Sequence, residues 1–286
     1  MLKSGIVTIV GRSNVGKSTL LNALVGTKVA ITSPKPQTTR DAIRGILHDA
    51  RGQIVFLDTP GVFEEHGSAL TKQLNAVARK ALSGVDAVVY VVDPTRDIGT
   101  EEHRVHALLR HTTQPKILAR NKADLPERER PHLAQYHDLV FGDGDPTFVA
   151  EVDVSALAGQ NLPALVSAIF DVLPEGEPLY PDQQLTDVPQ KFWIAELIRE
   201  KVFLQMHQEI PYTVHVVVDE AVRRPDGTFF IQARILTTED RYRKMLIGSG
   251  GRRIKEFGQM TRKELETVMA RKVFLDLRVE TEKWVG

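Results

Sequence analysis

The chain has 286 residues, 42% of them hydrophobic, and its 37 Lys and Arg balance 37 Asp and Glu. That length favours two domains, the apolar fraction suffices for real cores, and the charge balance excludes a chain that is polybasic throughout. With no cysteine it holds no disulfide and no thiolate metal site, and no apolar run approaches the roughly 18–20 residues that span a bilayer.

The opening Met1-Leu2-Lys3-Ser4-Gly5 runs straight into an apolar strand. No signal peptide is therefore expected, and the cytoplasm is the expected compartment. Strand-like Ile6-Val7-Thr8-Ile9-Val10 leads into Gly11-Arg12-Ser13-Asn14-Val15-Gly16-Lys17-Ser18, and helical Thr19-Leu20-Leu21-Asn22-Ala23-Leu24 leads out. The run fits G-x-x-x-x-G-K-[ST] at every fixed position, in the strand–loop–helix setting that a P-loop needs. The glycines let backbone N–H groups close around phosphate oxygens, and the helix N-terminus adds partial positive charge. Lys17 is expected to reach the β- and γ-phosphates, and the Ser18 hydroxyl to hold Mg²⁺. This loop specifies nucleotide phosphates without naming the base.

Ser33-Pro34-Lys35-Pro36-Gln37-Thr38-Thr39-Arg40 follows. It reads as a surface loop, and residues 37–40 also read as a switch that orders on binding a triphosphate. A threonine here would supply Mg²⁺ with a second hydroxyl ligand; Thr39 is preferred, with Thr38 as the alternative. Strand patterns at 42–47 and 53–57 end at Asp58-Thr59-Pro60-Gly61. Asp58 is placed to bind Mg²⁺ through water, and the Gly61 N–H to meet the γ-phosphate. Val62 stands where a water-positioning glutamine is usual, so slow intrinsic hydrolysis is expected.

Helical 71–83, strand-like 87–92, helical 101–111 and strand-like 116–119 lead to Asn121-Lys122-Ala123-Asp124. This N-K-x-D run suits guanine. A carboxylate at Asp124 accepts from both the ring N1–H and the exocyclic amine, and adenine offers neither donor. Sites built on such bonds discriminate by large factors. A strand at 147–154 ends at Ser155-Ala156-Leu157, where the Ala156 N–H is expected to touch guanine O6, and helical 162–173 closes the region. Apolar strands separated by helices predict an α/β domain over residues 1–173, a mostly parallel sheet with helices on both faces. Each motif falls just after a strand, so all converge on one sheet edge.

Residues 174–188, beginning Pro174-Glu175-Gly176-Glu177-Pro178, read as a linker. The remainder, 189–286, predicts helical 192–204, strands 212–218 and 229–235, helical 239–246 and 255–270, and a last strand at 273–279. Residues 241–272 carry ten Lys and Arg against three Glu. Inside that basic stretch sits Ile247-Gly248-Ser249-Gly250-Gly251-Arg252-Arg253-Ile254, the I-G-x-x-G-x-x-I pattern of KH domains. A tight glycine turn between two helices lets a nucleic-acid backbone approach closely. Residues 247–253 and Lys255 are therefore the expected RNA-binding residues. The element order resembles the α+β, bacterial type II KH arrangement. Trp193 and Trp284 are expected to pack rather than stack on bases.

A GTPase domain followed by a KH-like domain resembles the Era family of bacterial ribosome-assembly GTPases, within the TrmE-Era-EngA type. The likeness rests on Ser4-Gly5, on Gly11-Arg12 with Asn14-Val15-Gly16-Lys17-Ser18-Thr19, on Pro36-Gln37-Thr38-Thr39-Arg40 and on Asp58-Thr59-Pro60-Gly61. Glu196-Leu197-Ile198-Arg199-Glu200-Lys201-Val202-Phe203 with Glu209-Ile210-Pro211-Tyr212 extends it into the second domain. The resemblance implies GTP and GDP binding, capture of the 3′ end of small-subunit (16S) ribosomal RNA, help in maturing the small subunit, and a link to cell growth and division. It also implies a monomer with peripheral contact to the inner face of the plasma membrane. Two positions depart from the family, Ser13 where proline is usual and Ser249 where lysine is common. Asn14 resembles the asparagine of potassium-activated relatives; it either coordinates K⁺ or hydrogen-bonds its own loop. GTP is expected to expose the RNA groove, and RNA in turn to favour the GTP state. The rival readings are an RNA-modifying GTPase, a P-loop kinase, and a membrane-associated regulatory GTPase whose C-terminal domain binds a protein or lipid.

Overall fold

The computed structural model describes residues 1–35, 38–61, 69–142, 147–206 and 210–282, with 69–73 described for their backbone alone. Gln37, Val62 and Trp284 lie outside the described residues. Two compact units emerge, Met1–Asp187 and Val188–Gly286.

The first unit is a six-stranded sheet flanked by helices. Its strands are β1 (Lys3–Val10), β2 (Ile43–Asp49), β3 (Gly52–Asp58), β4 (Ala87–Val92), β5 (Lys116–Arg120) and β6 (Phe148–Asp153), in the order β2-β3-β1-β4-β5-β6. Only β2 runs antiparallel to its neighbour. The helices are α1 (Lys17–Val25), α2 (Ala69–Lys80), α3 (Thr100–Leu109), α4 (Leu133–Phe141) and α5 (Leu162–Val172). The central strand β4 reads AVVYVV and is buried throughout. Its alternate residues Val88, Tyr90 and Val92 join Ala78, Val105, Leu109, Tyr136 and Val140 in one core cluster. Val89 and Val91, also buried, serve the other face, as a parallel sheet covered on both sides requires.

The order of strand addition reverses at β1, with β3 on one side and β4 on the other, all three parallel. Ligands of such sheets sit outside the carboxyl ends of the strands at that point. The loops after β1, β3, β5 and β6 all open there.

Two expectations need revision. Helix α4 carries no element in the sequence reading, because it is only nine residues long between Pro131 and Gly142 and Tyr136 and Val140 are its sole buried stripe. The stretch read as a linker is bound to the first unit as far as Asp187. Pro174 O accepts from Ser4 N, the Gly176 N–H donates to Leu2 O, and Gln53 Oε1 receives the Leu179 and Tyr180 amides. Leu185 O accepts from Ile46 N, and Arg44 pairs with Asp187 at 2.8 Å. The prolines stop helix α5, but the backbone groups of this stretch find partners at the start of β1 and on β2 and β3.

The second unit runs α6 (Gln190–Gln205), β7 (Val214–Arg223), β8 (Phe229–Thr237), α7 (Asp240–Ile247), α8 (Arg252–Met269) and β9 (Val273–Thr281). Strand β8 lies centrally, antiparallel to β7 and parallel to β9. The element order is the expected one. Ile194, Leu197, Ile198, Phe203, Ile231, Ile235, Leu246, Phe257 and Leu265 form its buried interior. Trp193 is half-buried on α6. Among the described residues no helix is long and apolar enough to cross a membrane.

Candidate functional site

The loop Gly11–Lys17 is shaped by backbone that only certain residues adopt. Gly11 has φ 155° and a Cβ there would lie 2.3 Å from Val91 O; Gly16 has φ 100° and a Cβ would meet Asn121 Nδ2 at 2.3 Å. Neither position admits a side chain. Asn14 is left-handed at φ 59°, and its Nδ2 donates to Pro34 O at 2.8 Å. That bond reaches across to the switch-side loop rather than closing on its own. Lys17 is buried and donates to the carbonyls of Gly11 (3.0 Å) and Arg12 (2.8 Å). Burial pulls its ammonium down to about 8, against the opposing pull of Asp58 and Glu102. Ser13, Gly16, Lys17, Ser18, Thr19, Thr38, Thr39 and Gly61 share one small cavity.

Beside this loop three side-chain oxygens meet. Ser18 Oγ donates to Asp58 Oδ2 at 2.5 Å and lies 3.0 Å from Thr39 Oγ1. Thr38 turns away, donating to Lys35 O at 2.7 Å. Arg40 is half-buried beyond them. Asp58 is fully buried, and its Oδ1 has no hydrogen-bond partner. Burial raises its carboxyl to about 6, opposed first by Lys17. A buried carboxylate with an orphaned oxygen and two adjacent hydroxyls fits a hard divalent cation such as Mg²⁺. Thr59 Oγ1 donates to Ile9 O at 2.9 Å, which fixes the start of the Thr59-Pro60-Gly61 turn. A Cβ on Gly61 would lie 2.8 Å from Ser13 N, so the two loops touch backbone to backbone.

On the base side Asn121 ties three loops together. Its Nδ2 donates to Val15 O (2.8 Å), and its Oδ1 accepts from Lys122 N (2.8 Å) and Ala156 N (2.9 Å). The Ala156 N–H, expected to reach guanine O6, is thus already engaged by Asn121. Lys122 adopts φ 66° and pairs with the buried Asp93 at 2.6 Å. Asp124 is exposed on the same loop, its carboxylate open to solvent. Ser155 closes its turn by accepting the Ala158 N–H at 2.9 Å, and Leu157 is 85% exposed.

Sequence reasoning did not find the charged network beneath the loop. Arg12 pairs with Glu102 of α3 at 3.0 Å and donates to Tyr136 OH (3.0 Å) and Asp97 O (2.9 Å). Tyr90 OH donates to Glu102 Oε1 at 2.5 Å and Tyr136 OH to Oε2 at 3.1 Å. Burial raises the Glu102 carboxyl, while Tyr90 and Arg12 hold it down. No local motif carries this signal, since its members come from the loop after β1, from β4, α3 and α4.

In the second unit the turn between α7 and α8 bears three left-handed glycines, Gly248 (φ 72°), Gly250 (φ 59°) and Gly251 (φ 77°). A Cβ at Gly248 would press on Arg253 at 3.0 Å, whereas one at Gly250 would meet open space. Ser249, Arg252 and Lys255 are exposed, while Arg253 is tied back to Met245 O at 2.9 Å. Ile254 and Lys255 lead from the turn into a cavity of about 330 Å³ between α8 and β9, lined also by Gly258, Arg262, Phe274 and Leu277. Ile247 ends α7 half-buried. Sequence reasoning missed the groove; Gly258, a helix-interior glycine whose missing side chain leaves open space, is the signal that could have found it.

Comparison with known proteins finds a match for each of the two units. The model for the 50S ribosome-binding GTPase family matches residues 6–122, and that for the KH domain matches residues 209–285. The chain is 40% identical to GTPase Era of Halothermothrix orenii, over 98% of this chain and 94% of that one. It is 41% identical to GTPase Era of Geotalea daltonii, over 98% and 93%. Among solved structures, Era in complex with MgGDPNP and nucleotides 1506–1542 of 16S ribosomal RNA superposes with a TM-score of 0.90 at 34% identity, covering 99% of this chain and 94% of that one. A variant of Aquifex aeolicus Era bound to GDP·AlF4⁻ gives 0.88 at 34% identity, covering 98% and 94%. A P-loop GTPase unit followed by a KH unit, alike in sequence and fold along nearly the whole chain, places this protein in the Era family of GTPases.

Proposed function

We propose that this GTPase is a nucleotide-gated RNA-binding protein that captures the 3′ end of small-subunit ribosomal RNA and assists maturation of the small subunit. The observation that carries the reading is the Gly248–Gly251 turn. Its left-handed backbone can approach a phosphate chain closely, and it opens on a cavity flanked by Lys255 and Arg262. The complex of the similar Era with a 16S fragment supports the same ligand.

In the first unit Lys17, the loop amides and the start of α1 neutralise phosphate charge, which is most of what phosphoryl transfer asks of a protein. Ser18, Thr39 and Asp58 are the residues to hold Mg²⁺, which when bound offsets charge on the β- and γ-phosphates. The Asp58–Ser18–Thr39 contact supports Thr39 over Thr38 for that role. Lys17 and Gly61 line the same cavity, and both are expected to meet the γ-phosphate. Asp124 selects guanine, and Asn121 keeps that loop in register with the P-loop. With Nδ2 committed to Pro34, Asn14 has Oδ1 to offer a monovalent cation. Turnover in K⁺ is expected to exceed that in Na⁺, and equal rates would remove the cation from the mechanism.

RNA capture is tested by titrating a labelled single-stranded RNA from the 3′ end of 16S ribosomal RNA against protein loaded with GDP or a non-hydrolysable GTP analogue. Salt is fixed, because phosphate contacts make affinity steeply salt-dependent. Tighter binding by the GTP-analogue form is expected. Absence of sequence-selective binding in both forms would leave the GTPase standing and remove RNA as the ligand.

A further inference from the structure

Phe230 of β8 and Phe274 of β9 are register partners, with rings stacked 5.8 Å apart at 20°. Arg224, at the β7–β8 hairpin end, lays its guanidinium 4.1 Å over the Phe230 ring and 5.5 Å from that of Phe274. The stack is not a core feature: Phe274 is 53% exposed, and Val222, partner of Phe230, is 42% exposed. Among the described residues strand β9 is the sheet edge, and no further strand continues the stack past Phe274. Phe274 also lines the cavity that leads from the glycine turn.

Basic residues outnumber carboxylates around this patch. Arg223, Arg224, Arg271 and Lys272 are exposed there, and Lys272 O accepts from Phe229 N at 2.9 Å, which brings the α8–β9 turn against the hairpin. Against them stand Asp226, which accepts from Thr228 and faces Arg224 and Lys272, Asp276, paired with Arg278, and Glu266, which accepts from Val273 N. Exposed aromatic rings among arginines suit single-stranded nucleic acid, since every base has a face to stack and every nucleotide a charge to neutralise.

We propose that Phe274, backed by Phe230 and Arg224, is a base-stacking subsite for the RNA nucleotide flanking those held at the glycine turn. This rests on the RNA reading above. It makes the bound segment longer than the roughly four nucleotides a KH turn clamps.

The test uses the full chain with a GTP analogue and two single-stranded RNAs from the 16S 3′ end, one of about four and one of about ten nucleotides. Phe274→Leu is expected to weaken the longer RNA about tenfold and leave the shorter unchanged, with Phe274→Tyr restoring the longer. Removing Arg223 or Lys272 by Gln should lower the salt slope for the longer RNA by about one each. No loss on the longer RNA, or equal loss on both lengths, would overturn the subsite. If the unaltered protein binds both lengths equally, the subsite falls while the glycine-turn reading survives. If it binds neither, both fall.

Discussion

At the scale of single residues, adjacent threonines have been given different work. Thr39 stands 3.0 Å from Ser18, whereas Thr38 is spent on Lys35 O. Thr39→Ala is therefore expected to weaken Mg²⁺-dependent binding of a GTP analogue at least tenfold and to change GDP affinity little. Thr38→Ala should alter both by less than a few-fold, which calorimetry with each nucleotide would check. Glu102 is the other residue with a sharp expectation. Truncating it leaves Arg12 buried without its counter-charge, and breaking a buried pair in this way costs about 3–5 kcal/mol. Urea unfolding of Glu102→Ala measures this; a loss below about 1 kcal/mol would mean that water replaces the carboxylate.

At the scale of elements, the residues gathered at the candidate nucleotide site come from short stretches, because each motif is a few residues locked by local backbone geometry. Gly11, Gly16 and Gly61 sit where a Cβ would collide, and their spacing carried that information directly. What could not be read came from distant partners. The Arg12–Glu102–Tyr90–Tyr136 network joins four elements, and α4 is too short to show periodicity. Strand β7 runs on past Val218 to Arg223 across a bulge at 218/220, where Asp219-Glu220 looks like a turn in the sequence. The Pro-rich stretch after α5 read as a free linker because composition does not reveal that Gln53 and β2 receive its backbone. For the glycine turn, Ser249 is exposed where a cation would meet phosphate. Ser249→Lys is expected to tighten RNA binding and steepen its salt slope by about one. An unchanged slope would place the phosphate elsewhere.

At the scale of the whole molecule, nucleotide state and RNA can influence one another only through differential binding. A GTP analogue that raises RNA affinity tenfold must gain tenfold affinity itself when RNA is bound, a coupling of about 1.4 kcal/mol. Sequence alone indicates both ligands but not that coupling, which belongs to the equilibrium between states. Affinity for a GTP analogue and for GDP, each measured with and without saturating 16S 3′-end RNA, tests it most directly. RNA should tighten the analogue and leave GDP unchanged or weaker. Equal effects on both nucleotides would contradict nucleotide-gated RNA capture.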